Sequence, residues 1–177
     1  MKKLAFITLI VLFACMLASC AKDSSKSVEQ MINPGDKIGD FLITTGEEGN
    51  VTYGFDLDCV KQGNGKNYSY SCKSPVGKTI NITTGIYDDT VSNVPTTATP
   101  KLNEKWSSYT YELSIEGRPV NLQGFGYIDI PHPLIGVVRF WNIVIIASKP
   151  GKITIHESGV VGGDPFGSTS TYTFSAP

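Results

Sequence analysis

The chain holds 177 residues, with 15 Lys and Arg against 16 Asp and Glu, 18% charged and 41% hydrophobic. That length suits one domain and leaves no room for two large ones. An ordinary apolar fraction argues against extended disorder, and a formal charge of -1 offers no basic field, which excludes nucleic acid and other polyanions as partners.

Met1-Lys2-Lys3 is a short positive start, and the 14 residues from Leu4 to Leu17 carry no charge. A membrane-spanning helix needs about 20 apolar residues, so this run has the length of an export signal's hydrophobic segment instead. It ends in Leu17-Ala18-Ser19-Cys20. These four residues resemble the lipobox of bacterial lipoprotein signal peptides. The resemblance implies export, a diacylglycerol on the Cys20 thiol, cleavage after Ser19 and acylation of the new amino terminus. The mature chain would then be held at a membrane of the cell envelope, since two or three acyl chains anchor stably where one does not. Ala21 stands where Asp marks inner-membrane retention in enteric bacteria, so the outer membrane is the expected location in a Gram-negative cell. The match covers the signal alone. Removing residues 1–19 takes two lysines and no acid, which leaves 13 basic and 16 acidic side chains.

Cys15 leaves with the signal and Cys20 takes lipid, so Cys59 and Cys72 are the thiols left in an envelope where disulfides persist. The local pattern pairs them. Val51, Tyr53, Phe55, Leu57 and Cys59 alternate with polar residues or Gly, as Tyr68, Tyr70 and Cys72 alternate with Ser69 and Ser71, across a Gly/Asn-rich turn. An antiparallel hairpin with Cys59 facing Cys72 puts Lys61 opposite Tyr70. A redox or metal-binding pair would need closer spacing or a histidine nearby.

Residues 20–33 read as the lipidated terminus and a Ser-rich tether, and Pro34-Gly35 opens a domain over 34–177. Strands are predicted at Ile38–Thr45, Val51–Val60, Tyr68–Lys73, Lys78–Thr84 and Gly85–Val91. The Pro/Thr stretch 93–100 then breaks any regular element. Tyr109, Tyr111, Leu113 and Ile115 alternate with polar residues, and Glu116-Gly117-Arg118-Pro119 reverses the chain. Phase changes at Gly124 and Gly126, which predicts a bulge, and Pro131-His132-Pro133 ends that strand. Leu134–Ala147 is apolar on both phases and rich in β-branched residues, the pattern of a strand buried on both faces. Lys149-Pro150-Gly151 turns into a strand over Lys152–Glu157, and after a Gly/Asp/Pro loop Thr169–Ser175 closes the domain. No segment beyond the signal shows sustained helical periodicity. The fold class is all-β: many short strands suit a sandwich or a small closed barrel, and a single antiparallel β-sandwich is preferred. The Pro-Gly turn before a late strand loosely resembles immunoglobulin-like envelope domains.

Chemistry is sparse. Pro75-Val76-Gly77-Lys78-Thr79 is similar to the tail of a phosphate loop, yet Cys72 stands where the first Gly belongs, and strands flank it where a helix must follow. His132 sits between prolines, and His156 shares phase with Lys152 and Thr154, so both read as surface histidines. A hydrolase using either as base is the least favoured reading. Asp56 with Asp58, and Asp88 with Asp89, lack the loop spacing of a calcium site and read as solvated acidic edges. The asparagines of three Asn-x-Ser/Thr triplets, Asn50, Asn67 and Asn81, are near chance in so Ser- and Thr-rich a chain. No cofactor, metal or catalytic set is therefore called for. Trp106 shares phase with Ser108 and Thr110, which places it on the polar face of the strand holding Tyr109. An indole there can stack on a sugar or a partner. Trp106 and Tyr109 are the candidate ligand-binding residues, set against the plainer reading that Trp106 packs at the strand's end. The expected function is non-catalytic binding or assembly with another envelope component, with a glycan- or small-ligand-binding module as the alternative.

Overall fold

The computed structural model describes residues 30–47, 49–63, 67–88, 90 and 96–176. The expected signal peptide, Cys20, Ala21, the expected tether as far as residue 29, the centre of the Gly/Asn turn, Asp89 and residues 91–95 lie outside the described residues. The strands are β1 (Lys37–Ile38), β2 (Phe41–Thr44), β3 (Asp58–Gln62), β4 (Asn67–Pro75), β5 (Thr79–Asn81), β6 (Ile86–Tyr87), β7 (Thr110–Ile115), β8 (Arg118–Pro119), β9 (Tyr127–His132), β10 (Gly136–Trp141), β11 (Val144–Ala147), β12 (Gly151–Val161) and β13 (Asp164–Ser175). Two helices join them, α1 (Pro100–Ser107) before β7 and α2 (Leu122–Phe125) before β9.

The protein is an all-β sandwich. A four-stranded sheet, β1-β2-β11-β5, faces a six-stranded sheet, β3-β4-β13-β12-β7-β8, and a three-stranded sheet, β6-β10-β9, continues from β11 through β10. Ile43, Ile80 and Ile145 from the smaller layer meet Ile115, Ile153 and Ile155 from the larger one, and all six are fully buried. Each contributes about 1.5–3 kcal/mol by leaving water. The expectation of a purely antiparallel sheet is corrected at one pairing, where β4 runs parallel to β13 from Asn67 beside Gly167 to Pro75 beside Ser175. β3–β4 and β12–β13 are separate antiparallel hairpins, and a long excursion of chain between β4 and β13 leaves room for parallel contact.

The hairpin register is the expected one, Cys59 opposite Cys72 and Lys61 opposite Tyr70, and the disulfide is formed. A closed loop of this length contributes about 3 kcal/mol in the chain-entropy model. The final strands are longer than expected, because Gly162 and Gly163 both take positive φ (58° and 87°) and make a two-residue turn of what read as a loop.

Other expectations are corrected. The folded unit begins at Met31 rather than Pro34: Ile32 is buried and bridges Val120, donating to the Pro119 carbonyl at 2.9 Å. Ile38–Thr45 is two strands, bent at Gly39 with φ 58°. A 3-10 turn at Gly54–Asp56 interrupts Val51–Val60. Leu134–Ala147 is two strands in different sheets. The Trp141 carbonyl accepts from Asn81 Nδ2 at 2.9 Å and Thr83 Oγ1 at 3.0 Å, while Asn142 exchanges side-chain bonds with the Gly46 backbone. With these carbonyl and amide groups taken by side chains, the ladder breaks and the chain changes sheet. Helix α1 replaces the expected start of a strand: Thr99 Oγ1 accepts from Leu102 N at 3.0 Å, and Pro100 supplies the first turn. Helix α2 takes the place of the bulge near Gly124.

A candidate binding cleft around Glu157

On β12 the phase of Ile153 and Ile155 continues to Glu157, so strand geometry drives a carboxylate onto the face that meets the core. Its lateral neighbours are Leu113 on β7 and Ser168 on β13, and Ser168 in turn stands beside Tyr68 on β4. Glu157 is 6% exposed. Three hydroxyls donate to it: Thr84 Oγ1 to Oε2 at 2.6 Å, Ser168 Oγ to Oε2 at 3.1 Å, and Tyr111 Oη to Oε1 at 2.8 Å. Burial raises its pKa above the ordinary carboxylate value, and the three hydroxyl donors offset part of that shift. Burial first, and the Glu157 charge second, push the Tyr109, Tyr111 and Tyr172 phenols up, so all three remain protonated.

Thr84 stands between two cavities of about 220 Å³ each, whose walls share Tyr70, Thr84 and Gly85. One reaches Glu157 itself, beside Tyr172, Phe140 and the Cys59–Cys72 bridge. The other is walled by Tyr68, Tyr109, Phe166, Ile86 and Val161, together with Ser168. The Tyr109 hydroxyl is buried without a hydrogen-bond partner among the described residues. At the rim, Lys61 Nζ lies 4.0 Å from the centroid of Tyr68 and 5.9 Å from that of Tyr70. Concave, mostly apolar walls with a few convergent polar groups are the make-up of a small-molecule site.

The two candidate residues part company here. Tyr109 lines the aromatic cavity, whereas Trp106 lines neither half. The assignment of Trp106 to the polar face of a strand is corrected: it lies on α1, half-buried, with its ring centroid 5.4 Å from that of Tyr109, 5.0 Å from Trp141 and 5.6 Å from Tyr127. Its ring packs behind Tyr109, one layer back from the aromatic cavity's wall. Of the acidic pairs, Asp56 and Asp58 are exposed, as expected, but Asp88 is buried. It accepts from Thr90 and Thr99, which hold its carboxyl down at about 2, and through Thr99 it ties β6 to the start of α1. His132 Nδ1 accepts from Leu134 N at a hairpin tip. His156 is exposed on the outer sheet face, where Nδ1 meets Thr169 Oγ1 at 2.9 Å in a concavity of about 600 Å³.

Sequence reasoning missed Glu157, Thr84 and Ser168 as a set. The signal for Glu157 was present, since the phase that sends His156 to solvent sends Glu157 inward. Its raised pKa has a definite sign in stability. Protonation favours the folded state, so the contribution is full below the ordinary carboxyl pKa of about 4.3 and is lost as pH rises through the folded value. Glu157→Gln is therefore expected to raise the thermal midpoint relative to the parent at pH 8 and to converge with it at pH 4. A difference that does not change with pH would rule this out.

Comparison with known proteins finds no matching family model, no matching curated protein and no matching solved structure.

Proposed function

We propose that this chain is a non-catalytic, lipid-anchored protein of the bacterial cell envelope, which binds an envelope component through the paired cavities at Thr84. The observation that carries the binding half is the wall itself. Tyr68, Tyr70, Tyr109 and Phe166 line one cavity together with Thr84 and Ser168, whose hydroxyls are held by Glu157. Aromatic faces beside fixed hydroxyls suit a sugar ring or another small ligand, or the end group of a larger envelope molecule. The anchoring half rests on Leu17-Ala18-Ser19-Cys20.

Each half has its own test. Cys20→Ser should move the protein from the membrane fraction of the native cell to the soluble one, and retention in the membrane would reject the anchor. For binding, the thermal midpoint of the purified protein is read against envelope glycans, peptidoglycan fragments and lipid headgroups. A ligand that binds only the folded state raises the midpoint with dose. Tyr109→Leu should abolish the rise, whereas a ligand whose shift survives that change would lie elsewhere.

A further inference from the structure

We infer that the cleft takes an organic cation, an alkylated ammonium group that enters beside Glu157 and rests on Tyr70 and the neighbouring rings. The inference rests on the cleft being the binding site and adds the chemistry of what binds.

Three observations converge on positive charge. Glu157 is the charged side chain in the cavity walls, and among the described residues its partners are three hydroxyls and the Thr84 backbone N–H, with no basic side chain at ion-pair distance. A buried carboxylate without a counter-charge is costly, and a cation arriving next to it recovers part of that cost. The surrounding groups are rings: Tyr70, Tyr172 and Phe140 on the Glu157 side, Tyr68, Tyr109 and Phe166 on the other. Aromatic faces attract ammonium groups, the more strongly when water is excluded. Finally, the same rings already hold an ammonium, that of Lys61 over Tyr68.

The walls also select among cations. A divalent metal wants six or more oxygens, whereas these walls are mostly carbon and offer one carboxylate and a few hydroxyls. A space of about 220 Å³ exceeds a bare ion and suits a methylated ammonium with a short tail. Lys61 is exposed on a flexible stem, so it can swing out when a ligand cation takes the rings.

Choline is the probe, with its uncharged isostere, in which carbon replaces the ammonium nitrogen, as the control. Binding to the full processed protein is followed by calorimetry and by thermal midpoint at matched ionic strength. Choline should bind and the isostere should not. Glu157→Gln should weaken choline about tenfold or more, the change expected of a desolvated charge contact. Lys61→Met should strengthen it by removing the internal competitor. Equal binding of choline and the isostere would overturn the cation assignment and leave the cleft standing as a site for neutral ligands. Weaker binding in Lys61→Met would also overturn it, because it would mean that Lys61 contacts an anion. If choline fails while a glycan protects the protein in a Tyr109-dependent way, the cation inference falls and the cleft reading survives. If choline and the whole envelope panel fail, both fall.

Discussion

Asp129→Ala is expected to lower the stability by about 3 kcal/mol, the low end for breaking a buried ion pair. Arg139 lies on β10 with its side chain 6% exposed, and Asp129 stands directly opposite on β9 at 31%. The contact is two-pronged, Nε to Oδ1 at 2.6 Å and Nη2 to Oδ2 at 2.7 Å, and Nη1 donates to Asn103 on α1 at 3.0 Å. The guanidinium also lies 4.3 Å from the Tyr127 centroid and 5.7 Å from that of Trp106. Removing the carboxylate leaves a cation enclosed by rings with one neutral acceptor. Arg139→Met should cost less, because Asp129 is exposed enough to be hydrated. The double variant should recover much of the loss, since an apolar chain of similar length fills the same slot. Urea midpoints at constant slope give these values. A loss below about 1 kcal/mol for Asp129→Ala would mean that the pair behaves like an exposed surface bridge.

That cluster shows where sequence reading stops. Local alternation revealed Cys59 facing Cys72 and the turn at Glu116-Gly117, because these depend on neighbours a few residues away. Arg139 was visible only as a charge inside an apolar run. Its meaning comes from Asp129 across a hairpin and from Asn103 and Trp106 on a helix whose periodicity is too short to register. The helix did leave one local mark, Thr99-Pro100, a cap residue followed by proline. Trp106 was read in the phase of the strand that follows it, and eight helical residues were enough to turn it onto a different surface. The cleft is less legible still. Thr84 and Glu157 are 73 residues apart in the chain, and they meet because two sheets pack. Only the inward phase of Glu157 could have announced that a polar group waits in the core.

Gly159→Ala should also cost about 3 kcal/mol, the upper end for overpacking, for a reason no pattern in the chain discloses. Gly159 sits in β12 between Tyr111 of β7 and Phe166 of β13. A Cβ at this position would overlap the Thr110 carbonyl oxygen and lie 3.0 Å from the Phe166 ring. Its φ needs no glycine, so the requirement is space, a close approach of two backbones within one sheet. To admit a methyl group, β7 must move away from β12. That movement strains the bond from Val160 N to Thr110 Oγ1 and draws Tyr111 off Glu157 two residues away. The variant should therefore lose ligand protection at the cleft as well as stability. Gly54→Ala is the control. It lies at a cavity wall with nothing within 4 Å of its Cβ and an ordinary φ, and should change stability by less than about 0.5 kcal/mol. Similar losses in the two variants would show that glycine's backbone freedom matters at both sites, and that crowding between β7 and β12 does not.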